Sequence, residues 1–460
     1  MRTANLTLRE HLQRALRAAP RRGTTELATL LGVTAQSVRR LLAELPGESL
    51  LSAGQTRRIR YALRRPLRGK PDDIPVYTID SQGRAAPLAP LSLVQPQGSL
   101  LPLQSTVWPV PAESRDGWWD GLPYPIYAVR PTGYMGRQLA RSEYLTLGVS
   151  DEPDTWSDDD VVWVLSRRGP DVTGNLLLGG ASYDIWFRNK LQDPQPHTDK
   201  TLPEVYSQLA GQAVALGGGG SSAAGEFPKF AAMRELDDAL TPHVLVKFSG
   251  AGGSASEQRW GDLLVCEHLA LECARKLPGI SAARSRILSH DGRVFIEVER
   301  FDRVGVHGRL SLCGLDAIQP TFLGDQETSW PPLMRQLAAV GLIDSNSVAA
   351  VEGLWWFGRL IANTDMHLGN ISFYVDRTFR LAPAYDMLPM TYAPLAGGEV
   401  PLRTFVPEFP RPHQRDTWLL ACAGAIAFWT IATADTRISE AFRTICRANA
   451  ELLRTVIDRV

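Results

Sequence analysis

The chain has 460 residues, 49 Lys+Arg against 49 Asp+Glu, and is 44% hydrophobic. That length supports two to four packed units with substantial cores, and the composition excludes collagen-like, mucin-like and largely disordered chains. Cys266, Cys273, Cys313, Cys422 and Cys446 form no C-x-x-C pair and leave one over, so a disulfide framework or a zinc site is not expected. A reducing cytosol is the matching compartment: the basic N-terminus lacks the apolar core of a signal peptide. The longest apolar stretch, Thr417–Ala432, has 16 residues. It falls short of the ~20 that cross a bilayer and predicts a buried helix.

Neutral overall charge conceals a polarity along the chain. Residues 1–70 hold fourteen Arg and Lys70 against Glu10, Glu26, Glu44 and Glu48, a net of +11, so the remainder carries −11. A basic module on an acidic body suggests a nucleic-acid anchor. Within it, Leu27, Ala28, Leu30 and Leu31 mark one helix, Gly32 a turn, and Thr34 the cap of a second helix with Val38, Leu41 and Leu42 inward. Gln36, Ser37, Arg39 and Arg40 then face outward, as side chains that meet base edges and phosphates do. Leu50–Leu63 reads as a strand pair around Gly54 bearing Arg57, Arg58 and Arg60, the wing of a winged helix-turn-helix. Such units also dock proteins, and double-stranded DNA is the favoured partner. Pro66–Pro111 predicts short strands and turns, Trp118 and Trp119 packing anchors, and a helix from Gly136.

Gly217–Gly220 precede SSAAGEFPK, small residues that let consecutive backbone N–H groups face one anion. The spacing fits neither common phosphate-loop pattern, and alone it is a linker as readily as a cradle. In HVLVKF, Lys247 alternates with Val244 and Val246 on a strand, as does the lysine that kinases hold against nucleotide phosphates. Glu267 opens a helical pattern and is placed to pair with that lysine. NTDMHLGN sets Asp365 and Asn370 five apart, the spacing of a kinase catalytic loop. A hairpin across Asp376-Arg377 follows, then Asp386. This order brings a base, an amide and a carboxylate to one end of a ribbon around one cation. Mg²⁺, which favours oxygen donors and keeps several waters, suits Asn370, Asp386 and phosphate oxygens. Each residue alone is as well explained as a cap or turn. His367 has no second histidine nearby for a zinc site.

These blocks (SSAAGEFPKF, VLVKF, VERFDR, NTDMHLGN, APAYDMLP) resemble the HipA-like serine/threonine kinases, bacterial toxins of the type II toxin–antitoxin class, over roughly Asp116 to Val460. With the basic N-terminus, the chain is similar to the YjjJ/HipH-type branch, where a DNA-binding unit is fused to the kinase. The resemblance implies an α+β fold: a winged helix-turn-helix (1–66), a mixed α/β N-lobe (67–302) and a helical C-lobe (303–460). It implies ATP and Mg²⁺ as cofactors, Asp365 as base, and Asn370 and Asp386 as metal ligands. Lys247 would contact phosphates inside a loop of Ala224, Gly225, Glu226, Phe227, Pro228 and Lys229. Glu299 and Phe301 would hold adenine, with His367 and Tyr385 lining the site. Ser222 falls where the family carries an autophosphorylated serine whose modification switches the enzyme off. The implied partner is a protein substrate, in the family a tRNA-charging enzyme, and a separate antitoxin is left open. Three departures stand out: the glycine run, Phe227 where Gln is common, and Cys266 in place of Asn. Two other readings are a DNA-binding regulator with an inactive or nucleotide-sensing kinase fold, and a metal-dependent nuclease using the same acids. No membrane association is expected. In the last helix, Phe442, Ile445, Ala448, Leu452 and Val456 are expected to face inward.

Overall fold

The computed structural model describes residues 2–192, 194–217, 227–235, 239–324 and 326–460, without the side chains of residues 2–6 and of Arg57. Ser222, Ala224, Gly225 and Glu226 therefore lie outside the described residues. The chain parts into two compact units, one of residues 1–80, 85–130 and 156–192, the other of 81–84, 131–155 and 193–460. The boundaries expected near 66 and 302 fall inside these units.

The first unit opens with α1 (Arg2–Ala18), β1 (Arg22–Gly23), α2 (Thr24–Leu31) and α3 (Ala35–Ala43). Gly32, at φ +64°, ends α2 in the left-handed conformation that closes such turns most easily. The Thr34 hydroxyl then caps α3 by accepting the Ser37 N–H at 3.2 Å. Strands β2 (Leu50–Ala53) and β3 (Arg60–Leu63) pair antiparallel, and β1 completes the sheet in the order β1-β3-β2. Leu12, Leu16, Leu27, Val38, Leu41 and Leu42 are buried together beneath it. A second sheet, ordered β7-β6-β5-β4-β8, comprises β4 (Ile74–Ile79), β5 (Ala85–Leu93), β6 (Ser99–Leu100), β7 (Trp118–Trp119) and β8 (Leu176–Leu178). It is accompanied by α4 (Tyr124–Tyr127), α6 (Asp158–Arg168) and α7 (Gly180–Leu191). Trp118 and Trp119 are buried, as packing anchors are.

The second unit begins with α5 (Gly133–Leu147) and α8 (Leu202–Gly217), which pack on each other. Four antiparallel strands follow in the order β11-β12-β10-β9: β9 (Lys229–Met233), β10 (His243–Phe248), β11 (Ser285–His290) and β12 (Arg293–Glu299). The two-residue period of β10 sends Val244, Val246 and Phe248 to one face, where Leu202, Tyr206, Ala210 and Ala213 of α8 cover them. Lys247 is thereby delivered to the opposite face, beside α9 (Ala255–Ala274). Ser254 caps α9 in a capping box with Glu257. Glu267 therefore lies well inside this helix rather than at its start, because the cap thirteen residues upstream sets the true beginning.

Beyond the short pair β13 (Arg303–Val304) and β14 (Gly308–Arg309), β15 (Leu312–Gly314) joins β16 (Ser372–Asp376) and β17 (Thr378–Leu381) in the order β15-β16-β17. Helices α10 (Leu315–Phe322), α11 (Trp330–Ala339), α12 (Ser345–Leu360), α13 (Arg415–Ala434) and α14 (Glu440–Ile457) supply the helical part. Among the described residues α13 alone is long and apolar enough to cross a membrane. It packs against α12, α14 and α9, burying Trp418, Cys422, Phe428 and Trp429. The inward stripe of α14 is Phe442, Cys446, Asn449, Ala450, Leu453 and Val456. Ala448 and Leu452, expected inward, are exposed, since steps of three and four from Phe442 drift toward 446 and 453. Trp429 is fully buried and donates its Nε1–H to the Leu360 carbonyl at 3.1 Å. Trp429→Ala is expected to cost ~3–5 kcal/mol in urea unfolding; a loss below ~1 kcal/mol would contradict this packing.

Candidate active site

Lys247 is 3% exposed. Its Nζ lies 2.7 and 2.9 Å from the two carboxylate oxygens of Glu267 and 2.5 Å from Asp386 Oδ1. Strand, helix and the loop after β17 thus converge on one ammonium. Burial opposes its charge, but the Asp386 and Glu267 carboxylates outweigh that and hold the lysine protonated, with its pKa above the ordinary value. Burial pushes Glu267 up, which Lys247 only partly offsets. Asp386 is held below the usual carboxylate range: burial acts upward, while Lys247, Lys229 and His367 pull it down. Lys229 reaches this side because it pairs with Lys247 in register across β9 and β10. Asp386 adopts φ +53°, left-handed backbone that a residue with a Cβ occupies only when its neighbours fix it.

The segment with Asp365 and Asn370 follows α12. Asp365 is 53% exposed at its side chain, with His367 Nε2 4.0 Å from its carboxylate. Asn370 donates its amide N–H to the Asp365 carbonyl at 2.7 Å, which anchors the side chain by its nitrogen. His367 accepts the Gly369 N–H at 3.0 Å and so shapes the loop between them. Tyr385 donates to the Gly369 carbonyl at 2.7 Å and shares a 2.7 Å hydrogen bond with Ser372. Burial pushes its phenol well above the ordinary range. The Tyr385 ring lies 5.6 Å from Phe301, whose carbonyl accepts the Tyr374 hydroxyl at 2.8 Å. Glu299 is buried, and its N–H donates to the Arg284 carbonyl at 2.8 Å.

The structure therefore gathers Lys247, Glu267 and Asp386, joins Asn370 to Asp365, and sets Phe301 against Tyr385. Phe227 is buried edge-on to Trp260 of α9 at 4.6 Å, and Lys247 Nζ is 5.8 Å from its ring. An apolar residue is accommodated here because Trp260 provides a partner that the sequence pattern had not revealed. Asn363, not singled out in the sequence, is 2% exposed and contacts both the Asp365 and Asp386 backbones. Its signal was present: an Asn two residues before Asp365 is an Asx-turn pattern.

In the first unit, Gln36, Arg39, Arg40 and Arg58 are exposed, and Ser37 is half-buried in the cap with Thr34. Arg60 is already engaged, donating to the Arg21 carbonyl at 2.8 Å and to Glu26 at 3.2 Å.

Residues 70–187 match the family described as YjjJ-like toxin, middle domain, and residues 221–452 the HipA-like C-terminal domain. Toxin YjjJ of Escherichia coli strain K12 is 38% identical over 441 residues, covering 95% of this chain and 96% of that protein. The chain belongs to the HipA-like toxin family. A chain of the Shewanella oneidensis MR-1 HipA, HipB and operator DNA complex superposes with a TM-score of 0.50, over 84% of this chain and 97% of its own. At 15% identity that likeness concerns the fold. The α+β, HipA-like fold expected from the sequence is the fold observed.

Replacing Lys247 by Met would leave the buried Glu267 and the half-buried Asp386 carboxylates without their cation, a loss of ~3–5 kcal/mol near pH 7. Burial would then raise both carboxyls, so the folded variant would bind protons that its unfolded chain does not. Wild type behaves oppositely at Asp386, whose contribution is lost as pH falls through its depressed folded pKa. The stability gap is therefore expected to narrow as pH falls from 7 toward the unfolded carboxylate range near ~4. Urea titrations at both ends check this; a gap that widens in acid would contradict it.

Proposed function

We propose that this protein is an ATP- and Mg²⁺-dependent serine/threonine protein kinase of the HipA type, with a winged helix-turn-helix that binds double-stranded DNA. The observation that carries this reading is the buried Lys247 ammonium, gripped by Glu267 and Asp386 from three separate elements. An ion pair of that kind keeps a lysine aimed where nucleotide phosphates lie. Lys229 adds a second ammonium on the same side, and the Phe301–Tyr385 pair offers an apolar wall for a flat base beside Glu299.

The donor set suits Mg²⁺. Asp386 is an ionised oxygen donor, and Asn370, anchored by its nitrogen, keeps its amide oxygen for a cation. Among the described residues no three His, Cys, Asp or Glu side chains gather to hold a metal alone. Nucleotide and water oxygens would therefore complete the coordination. Bound there, Mg²⁺ would neutralise phosphate charge. Asp365, open to solvent, would receive the proton of an incoming hydroxyl, and that openness suits the side chain of a protein substrate. Lys247 offsets charge on the transferred group.

The proposed division follows the sequence: residues 1–66 bind DNA, 67–302 form the N-lobe and 303–460 the C-lobe, in a cytoplasmic protein. Ser222 is the proposed autophosphorylation site. The S. oneidensis complex contains HipA with HipB and operator DNA; the fused N-terminal module would supply a DNA contact within this chain.

Labelled ATP tests the kinase reading. Asp365→Ala is expected to lower transfer roughly 100-fold or more while Mg-ATP binding persists. Self-labelling should also vanish in Ser222→Ala, which should still label an added protein target. Equal labelling of wild type and Asp365→Ala would overturn the proposal. For the DNA module, replacing Arg39 and Arg40 together by Ala should weaken duplex binding and flatten its salt dependence by up to ~2 in slope. An unchanged salt slope in fluorescence anisotropy would argue for protein docking instead.

A further inference from the structure

The side chain of Asn363 joins two loops whose contacted residues, Asp365 and Asp386, are 21 apart in sequence. Its Oδ1 accepts the Asp365 N–H at 3.0 Å, and its Nδ2 donates to the Asp386 carbonyl at 3.3 Å. A donor on one side and an acceptor on the other permit only one orientation of the amide. Its own N–H donates to the Gly358 carbonyl at 2.9 Å, tying it to the end of α12. The backbone on either side is held in an unfavourable state: Ala362 sits at φ +61° and Asp386 at φ +53°. Left-handed residues other than glycine cost of order 1–3 kcal/mol and persist where surrounding contacts over-determine them. Ala362 is fixed by donating to the Arg359 carbonyl at 3.2 Å and accepting the Thr391 N–H at 3.0 Å. At Asp386, Lys247 holds the carboxylate and Asn363 holds the carbonyl.

We infer that Asn363 is a positioning residue that sets the proton acceptor Asp365 and the metal-binding Asp386 at a fixed separation, coupling the two through one buried amide. This rests on the kinase reading. Asn363 touches neither nucleotide nor hydroxyl in this scheme. It acts as partners behind metal ligands do, whose loss lowers metal affinity or activity about 10–100-fold.

The two hydrogen bonds can be separated. Asn363→Ser keeps an oxygen able to accept the Asp365 N–H in the same kind of turn, but is too short to reach the Asp386 carbonyl. Asn363→Ala removes both links. The readout is calorimetric binding of the non-hydrolysable analogue AMP-PNP to the full chain, with excess Mg²⁺ and with EDTA. Wild type should bind more tightly with Mg²⁺. Both variants should lose about 10-fold or more of that Mg²⁺-dependent gain, with affinity in EDTA unchanged. In single-turnover transfer at saturating Mg²⁺ and ATP, the Ser variant should be faster than the Ala variant, because only it retains the turn at Asp365. Thermal unfolding identifies a variant that does not fold; if Ala fails, Ser carries the binding test alone. A folded Ser variant with the wild-type Mg²⁺ gain overturns the positioning role and leaves the kinase reading standing. A wild type with no Mg²⁺ gain overturns both.

Discussion

One ammonium group held between two carboxylates in a protein interior governs this architecture. Lys247 is 3% exposed, Glu267 is fully buried, and Asp386 keeps 29% of its side-chain surface. Burying charge is costly, and a pair lacking one partner is among the most destabilising arrangements a core can hold. The three side chains can therefore share this space only if strand, helix and loop arrive together. With one cation against two anions, the trio is also electrostatically incomplete. Lys229 and His367 offset part of that imbalance, both favouring the charged form of Asp386.

Ordinary local rules position each contributor. Alternation along β10 buries three apolar residues beneath α8, which leaves Lys247 no choice of face. The capping box at Ser254 fixes the start of α9 and hence the rotation that turns Glu267 toward the sheet. The far side of α9 is secured elsewhere, since Asp262 accepts both the Ser439 N–H at 2.7 Å and its hydroxyl at 2.6 Å at the head of α14. Burial pushes the Asp262 carboxyl up despite these bonds. Helix packing in the second half of the chain thus bears directly on where Glu267 stands.

Much of this is legible in the sequence. The five-residue spacing of Asp365 and Asn370, the hairpin across Arg377, and Asp386 after it form a local order that the fold preserves, because hairpin and loop connections are short. Lys247 was legible because its strand is short and β-branched. What escaped were relations across space. Glu267 reads as the opening of a helix because the polar residues from Ser254 onward hide the early turns of α9. Phe227 is out of pattern in the sequence because its partner, Trp260, lies on a distant helix. Ala448 and Leu452 of α14 were assigned inward from an idealised period, whereas the stripe follows its neighbours. Asn363 does not stand out in the sequence because a turn-forming asparagine is common and its second partner lies 23 residues on.

The clasp between Arg60, Glu26 and the Arg21 carbonyl in the first unit bears on how a polyanion would meet this face. A guanidinium already balanced by a carboxylate attracts few mobile anions and repels few cations from an approaching duplex. Arg40 is a looser case, with Glu44 4.0 Å away. For the proposed duplex binding, ionic-strength titrations should therefore tally fewer displaced ions than the arginines on this surface number, the shortfall measuring how much of the charge is spent within the fold.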